Sequence, residues 1–274
     1  MKTKLWILAL LLVPCLLLVA CGSNPANNEI ILATTTSVQD TGLLDVLTDM
    51  FKKTTGYKIK AIAVGSGEAM AMGKRGDADV MVVHSPKDEE AFINDGFGRN
   101  RITFMYNYFV IVGPADDPAG CSNTASAAEA FSRIAATSAP FISRGDNSGT
   151  HKKEMFLWNE TGIKPKGKWY IQAGVGMGQT LLITSEKNAY TLSDRGTYLA
   201  FKDTIALKVV KDGVPDLKNN YSVIVLNPDK FPKVNLAGAE AWAKFLLEPG
   251  TLKIIGEYGK DKYGEPLFYC IGKH

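Results

Sequence analysis

The sequence has few residues of the kinds that build metal centres. It contains three histidines and four cysteines in 274 residues, and no C-x-x-C pair, so a structural zinc site has no support. Its net charge is only +3 and its lysines are scattered, so the composition does not call for a nucleic-acid partner. Internal repeats and low-complexity tracts are absent. What is present is a composition of 46% hydrophobic and 22% charged residues, which is enough for a full globular core with room for two lobes.

The start of the chain has the pattern of a targeting segment. A short positive region with two lysines precedes an apolar run over residues 5–20, and we predict a signal peptide over residues 1–20. The run ends in Leu-Val-Ala-Cys, which resembles the bacterial lipobox and predicts a lipid on Cys21 and a flexible tether over residues 21–28. The alternative is an uncleaved anchor helix, although the run is slightly short for spanning a bilayer.

Two cysteines remain in the mature chain once Cys15 leaves with the signal peptide and Cys21 carries lipid. An exported compartment is oxidising, so Cys121 and Cys270 could form one disulfide. Two free thiols are the alternative, because the sequence does not fix the distance between these residues.

From residue 29 onward, short β-rich runs alternate with helical patterns, which predicts an α/β fold. Three buried strands are predicted at Glu29 to Ala33, Tyr57 to Val64 and Ala78 to Val83, and each runs into a loop of small polar residues. The carboxyl ends of parallel strands form the edge of a sheet where ligands bind. The sequence therefore predicts a binding site at this edge.

A long aromatic and β-branched run, Arg101 to Val112, is predicted to be a strand that leaves one lobe and enters another. The strand Tyr221 to Leu226 would carry the chain back. We predict lobe I from residues 29–108 and 221–274, and lobe II from residues 109–220. Each lobe would hold a mixed sheet flanked by helices, and the ligand cleft would lie between them at a two-strand hinge.

Residues 141–150, with the sequence FISRGDNSGT, predict an anion site, because an apolar strand leads into a polar loop that begins a helix. The first N–H groups of a helix have no partner within it, and Arg144 adds a planar group that can donate to two oxygens. Asp146 would orient the guanidinium, and Ser143 is a weaker candidate. The residues predicted to face the anion here are Arg144, Ser148, Gly149 and Thr150.

This loop also allows simpler interpretations. Arg144 and Asp146 could form a surface ion pair of little consequence. Ser148 or Asn147 could merely cap the helix. Capping explains one hydroxyl but not several.

Hydroxyl groups and glycines at three other strand ends extend the predicted site. Thr36 and Ser37 are the strongest candidates in the run Thr34 to Ser37, and Thr35 follows them. Ser66 lies between two glycines, as in a loop that a ligand approaches closely, although Gly-Ser-Gly is also common in plain turns. The glycine-rich run over residues 174–178 lacks the spacing of a dinucleotide fingerprint and predicts another anion-facing helix start, through Gly178 and Gln179.

A catalytic function has little support in the sequence. Ser148, His151 and Asp146 lie too close together on one loop and helix start for an ordinary triad, and no nucleophile elbow is present. The residues predict binding rather than catalysis, with no cofactor.

Taken together, these motifs resemble the tungstate-binding lipoproteins of bacterial ABC importers, a branch of the type II periplasmic-binding-protein superfamily. The matching segments span most of the mature chain: Thr34 to Leu44, Gly76 to Val80 with Val83-His84 following, Ser143 to His151, and Tyr190 to Tyr198.

The resemblance implies a two-lobed protein that closes on an oxyanion, tungstate or the similar molybdate, and delivers it to an ABC permease and its ATPase. It implies a lipid-anchored monomer in the cell envelope, at the periplasmic or outer face of the membrane. The ligand-facing residues that it implies are Thr35, Thr36, Ser37, Ser66, Arg144, Ser148, Gly149 and Thr150. The main alternative is phosphate, because phosphate-binding proteins carry an Arg-x-Asp-x-Ser-Gly-Thr run that Arg144 to Thr150 also satisfies. A secreted phosphoester hydrolase is a further alternative.

Overall fold

The computed structural model describes residues 28–271, so the predicted signal peptide and the lipid site at Cys21 lie outside the described residues. Strands and helices alternate through this range, as the sequence predicts for an α/β chain. Within residues 28–271, none of the helices combines the length and the apolar character needed to cross a bilayer.

The first part of the fold follows the predicted order of strand, polar loop and helix. Helix α2 buries the apolar residues that recur at helical spacing, and it ends at Gly56, whose φ of 80° suits a glycine. The elements are β1 (Glu29–Thr35), α1 (Thr36–Gln39), α2 (Leu43–Thr55), β2 (Lys58–Val64), α3 (Ser66–Arg75), β3 (Val80–Val83), α4 (Pro86–Asn94) and β4 (Gly98–Pro114).

The second part begins after the long strand β4 and ends with three helices and a short strand. Its elements are α5 (Ala127–Thr137), β5 (Phe141–Ser143), α6 (Gly149–Glu160), β6 (Tyr170–Gln172), α7 (Met177–Glu186), β7 (Thr191–Asp194), α8 (Arg195–Phe201), β8 (Leu207–Lys211), β9 (Lys218–Leu226), α9 (Leu236–Leu246), α10 (Pro249–Glu257), α11 (Lys260–Tyr263) and β10 (Tyr269–Cys270).

Two mixed sheets share strand β4. The first has the order β10-β4-β9-β3-β1-β2, in which β1 is parallel to β2 and β3, and β9 lies antiparallel between β3 and β4. The second is formed where β7 and β8 pair with the later half of β4. The parallel pair β5-β6 joins it through a bridge between Phe141 and Tyr190.

The pairing of β4 changes in the middle of the strand. It pairs with β9 up to Tyr108, and with β7 from Phe109 onward. Because one strand runs through both sheets, and β9 returns beside it, the two halves of the molecule are joined by two adjacent strands. Residues 29–108 and 221–274 form lobe I, and residues 109–220 form lobe II.

Apart from Leu199 of α8, which joins the main core of lobe I, each lobe has its own buried cores. In lobe I, α2, α9 and α10 pack on one face of the sheet around Phe51 and Trp242, and α3 and α4 pack on the other face around Phe92. In lobe II, aromatic residues of α5, β5 and α6 form the main core around Phe131 and Trp158. Separate cores allow the lobes to move as units about the shared strands.

Cys121 and Cys270, for which the sequence allowed either a disulfide or two free thiols, are both free thiols in the structure. Cys121 is fully buried in the core of lobe II, where its Sγ faces the carbonyl oxygen of Ala130. Cys270 is on β10 of lobe I, and its Sγ donates to the carbonyl oxygen of Leu252 at 2.9 Å. The two residues belong to different cores, so the alternative of two free thiols is correct.

Candidate anion-binding site

The predicted binding loops converge at one cavity between the lobes. The carboxyl end of β1 leads into α1, and the end of β2 leads into α3 through Gly65, which caps that helix without a side-chain bond. From lobe II, the loop after β5 leads into α6. The first N–H groups of these helices have no partner within the helix, so this is a region of positive potential.

The cavity is small, with a volume of about 20 Å³. All eight residues predicted to face the ligand line it. The complete lining is Thr35, Thr36, Ser37, Val64, Gly65, Ser66, His84, Phe109, Arg144, Ser148, Gly149, Thr150, Asp194, Asn219 and Tyr221.

Arg144 is held in the cavity wall by Asp146, as predicted. The guanidinium Nη2 donates to Asp146 Oδ2, and Asp146 Oδ1 accepts from the N–H of Ser148 at 3.1 Å. The Arg144 side chain is only 14% exposed, which contradicts the simple surface-pair interpretation. Burial opposes the charge on Asp146, but hydrogen bonds to Ser148 and the positive charge of Arg144 still lower the pKa of this carboxyl.

Two buried donors in the cavity wall have no partner among the described residues. They are the hydroxyl of Ser66, a residue that is 1% exposed, and the Nε of Arg144. A buried donor without an acceptor costs about 1–3 kcal/mol. These two groups come from different lobes, and both residues line the same cavity, where a bound acceptor is the partner that each of them lacks.

The loop between β5 and α6 has the backbone conformation of a tight turn. Gly145 and Asn147 both have positive φ, 61° and 58°. Ser148 caps α6 by accepting from the N–H of His151 at 3.3 Å, so the capping interpretation is correct for this residue. Its lining of the cavity is an additional role, because the cap uses the hydroxyl oxygen and leaves its hydrogen to donate.

Ser143 does not line the cavity, in contrast to its prediction as a weaker site residue. Its hydroxyl donates to Glu154 Oε2 at 2.8 Å and accepts from the N–H of Gly145 at 3.1 Å. Ser143, on the fully buried strand β5, therefore connects the loop to α6 through these two hydrogen bonds.

Gly178 and Gln179, the other weaker candidates, lie at the start of α7 on a neighbouring cavity of about 460 Å³. This larger cavity shares Arg144, Asp194 and two residues of α1 with the first one. The two residues are therefore beside the predicted anion cavity and not in its wall.

Four polar residues of the lining were not predicted from the sequence. His84 follows β3 at the predicted sheet edge, and Asp194 caps α8, so position after a strand could have indicated both. Asn219 and Tyr221 lie within β9, where no pattern marks them.

His84 is neutral at physiological pH. Burial lowers its pKa to about 4, against the opposing effect of its hydrogen bond to Asn219. Its Nδ1 donates to Asn219 Oδ1 at 3.0 Å, so its Nε2 carries the lone pair and faces Ser37 Oγ at 3.4 Å.

Asp194 is a buried carboxylate at the cavity. Burial raises its pKa, and both of its oxygens accept hydrogen bonds of 2.8 Å from the N–H and the hydroxyl of Thr197. Asp40 lines the neighbouring cavity. Burial is the main cause that raises its pKa, and the negative charge of Asp194 raises it further.

The lobes approach each other closely at Gly149. A Cβ on this residue would lie 2.5 Å from His84 Cε1 and 2.9 Å from Ser66 Oγ. Two ion pairs also cross between the lobes, Lys152 with Asp88 at 3.2 Å and Arg195 with Glu265 at 2.8 Å. The structure therefore represents a closed arrangement of the cleft.

The geometry does not support catalysis by the loop residues. His151 Nδ1 accepts from the backbone N–H of Asn147 at 2.9 Å, and Ser148 Oγ accepts from the backbone N–H of His151, so the imidazole does not activate the serine. Within residues 28–271, His, Cys, Asp and Glu form no group that could hold a metal ion.

We expect the stability of the protein to fall as pH rises through neutrality because of Glu154, which supports the loop from α6. Burial raises its pKa from 4.5 to about 7, although Tyr170, Ser143 and Trp158 donate hydrogen bonds to it. The folded state binds this proton more tightly, so its stabilisation is complete below pH 4.5 and is lost as pH rises through 7. The shift corresponds to at most about 3 kcal/mol.

Urea unfolding of the wild type and of Glu154→Gln at pH 5, 6.5 and 8 measures this effect. We expect the variant to lose less stability over this range than the wild type, since glutamine does not titrate. Equal pH slopes for both proteins would contradict the assignment to Glu154.

Comparison with known proteins gives consistent matches over most of the chain. The family model described as the PBP superfamily domain matches residues 22–249. The tungstate-binding protein TupA of Peptoclostridium acidaminophilum is 48% identical over 245 residues, which cover 89% of this chain and 86% of that relative. The structure of the tungstate-binding protein TupA from Desulfovibrio alaskensis G20 has a TM-score of 0.81 and 42% identity, covering 89% of this chain and 99% of that one. The structure of the tungstate ABC transporter from Geobacter sulfurreducens has a TM-score of 0.75 and 48% identity, covering 85% of this chain and 100% of that one. These matches confirm the resemblance stated from the motifs and the two-lobed fold that it implies.

Proposed function

The chain belongs to the periplasmic-binding-protein (PBP) superfamily, and from this membership we propose that it is an extracytoplasmic solute-binding protein that captures tungstate for an ABC permease. Its relatives are named for tungstate binding and for an ABC transporter, and none of the names cited above describes an enzyme. We propose that its role is binding and delivery, and that it needs no cofactor.

The observation that carries this proposal is the pair of unpartnered donors, Ser66 Oγ and Arg144 Nε, in the wall of one cavity. Tungstate is a tetrahedral dianion without protons at neutral pH, so it offers acceptors only and requires donors. The hydroxyls of Thr35, Thr36 and Ser37 and the free N–H groups at the start of α6 add to this set.

Molybdate has almost the same size and charge as tungstate, so the same donors serve it. Phosphate is the second candidate, because it carries a proton near neutral pH and Asp194 brings a carboxylate to the cavity. Both oxygens of Asp194 already accept a hydrogen bond from Thr197, and each keeps a lone pair that could accept the proton of phosphate.

Binding would proceed by closure of the lobes about β4 and β9. An anion entering the open cleft contacts Thr35 to Ser37 and Ser66 from lobe I, and Arg144, Gly149 and Thr150 from lobe II. Closure excludes water and strengthens each charge-assisted hydrogen bond. The ion pairs Lys152–Asp88 and Arg195–Glu265 then stabilise the closed form, in which a monomer anchored through lipid on Cys21 presents the anion to the permease and its ATPase.

Calorimetric titration of residues 22–274 with tungstate, molybdate, sulfate and phosphate tests this function. We expect tight binding of tungstate, and compaction of the protein by small-angle scattering when tungstate is added. Preference for phosphate would change the ligand assignment, and absence of binding to all four anions would overturn the proposal.

A further inference from the structure

Tyr221 occupies a central place in the anion cavity. It lies on β9, its side chain is fully buried, and it lines the cavity beside Ser37. Its ring packs against His84 and Phe268, with centroid separations of 4.8 and 5.7 Å. The position of the phenol is therefore fixed by packing, and its hydroxyl is the part that can interact with a ligand.

The hydroxyl oxygen accepts two hydrogen bonds from side-chain amides. Asn107 Nδ2 donates at 3.3 Å and Asn219 Nδ2 donates at 3.1 Å. A phenol has one hydrogen to donate and limited capacity to accept, and these two amides use that capacity. The hydroxyl hydrogen must then point away from both asparagines.

The two amides are themselves held in orientation. Asn219 Nδ2 also donates to Asn107 Oδ1 at 2.8 Å, and Asn219 Oδ1 accepts from His84 Nδ1 at 3.0 Å. All three residues are at most 8% exposed. The network runs from His84, which follows β3, through Asn219 on β9 to Asn107 on β4. Because both amides donate to the Tyr221 hydroxyl, Tyr221 must donate its own hydrogen toward the cavity.

Among the hydrogen bonds of the described residues, this donor has one long and therefore weak contact with an acceptor. Its nearest oxygen is Ser37 Oγ at 3.5 Å, which is at the limit of a hydrogen bond. Ser37 Oγ also lies 3.0 Å from Thr35 Oγ1, a closer partner. The hydroxyl of Tyr221 is thus available to a bound molecule.

We propose that Tyr221 is a further ligand-binding residue, whose hydroxyl donates to an oxygen of the bound oxyanion, and that Asn107 and Asn219 hold it as a donor. This inference rests on the proposed oxyanion-binding function. Burial also raises the pKa of Tyr221, so the hydroxyl keeps its proton at physiological pH. The ligand that it serves is a tetrahedral oxyanion with unprotonated oxygens, such as tungstate or molybdate.

The substitution Tyr221→Phe tests the proposal, because it removes the hydroxyl and keeps the ring. By calorimetric titration with tungstate, we expect the Kd to rise roughly 10- to 100-fold, the usual effect of losing one hydrogen bond to a charged partner. The matched control is Tyr190→Phe, which removes the hydroxyl of another fully buried tyrosine, one that donates to Asp117 at 3.0 Å in the core of lobe II. We expect this control to lower the thermal midpoint and leave the Kd unchanged.

The outcomes separate this inference from the proposed function. If the wild type binds tungstate and Tyr221→Phe binds it equally well, the role of Tyr221 is overturned and the function stands. If the wild type binds none of the four anions, the function fails and the inference fails with it. Where Tyr221→Phe does not fold, Asn107→Leu keeps the hydroxyl but removes one of the amides that orient it. We expect it to weaken tungstate binding roughly threefold, and an unchanged Kd would overturn the proposal.

Discussion

Replacement of Arg144 by alanine is expected to raise the Kd for tungstate by roughly 100- to 1,000-fold, equivalent to about 3–4 kcal/mol. The variant loses a planar donor whose Nε is unpartnered in the cavity. It also leaves Asp146 without its cation, so an ionised carboxylate would then lie close to the bound dianion. Titration calorimetry of both proteins with tungstate measures the change.

Arg133→Ala is the matched control, because this arginine also belongs to lobe II and pairs with a carboxylate, Glu129 at 3.1 Å, but lies on the surface of α5. We expect its Kd to equal that of the wild type. Arg144→Lys should lie between the wild type and the alanine variant, since it keeps the charge and loses the planar fork. If Arg144→Ala bound tungstate with the Kd of the wild type, the anion would have to bind at a different site.

The second large effect is expected from Gly149→Ala. The added methyl group would lie 2.5 Å from His84 Cε1, a distance that packed carbon atoms do not reach. Alanine itself suits the first turn of α6, so we expect the apo protein to fold with an unchanged or slightly higher thermal midpoint. The closed arrangement should become inaccessible, and the Kd for tungstate should rise by roughly 100-fold or more, because half of the donors no longer reach the anion.

Small-angle scattering with and without tungstate distinguishes a closure defect from a folding defect. The wild type should become more compact, and Gly149→Ala should not. Gly250→Ala is the control, because Gly250 also lies in the first turn of a helix, α10, and a Cβ there has open space. If Gly149→Ala became as compact as the wild type when tungstate is added, the close contact between Gly149 and His84 would not be required for closure.

The parts of the site that follow local rules were predictable from the sequence. The polar loops after β1, β2 and β5 come directly after apolar strands, and the chemistry of helix starts is local, so Thr36, Ser66 and Arg144 could be assigned by position alone. The long strand β4 was predictable because β-branched and aromatic residues, which favour strands, follow one another over its length.

The residues that were missed depend on long-range pairing. Asn219 and Tyr221 reach the cavity because β9 inserts between β3 and β4, and its alignment with β4 brings Asn107 opposite Asn219. No spacing within β9 indicates this, since the partners lie more than a hundred residues away in sequence. For the same reason, two cysteines could be counted in the mature chain but not paired, as their separation depends on which core each one joins.

The place of β9 also governs when the chain can fold. During synthesis from the N-terminus, the edge of β3 that pairs with β9 stays open until residues 218–226 have been made, roughly 135 residues after β3 ends. At 5–20 residues per second this interval is roughly 7–27 s. Contacts between such distant segments make folding slow. The first sheet of this chain therefore cannot close until β9 has been made.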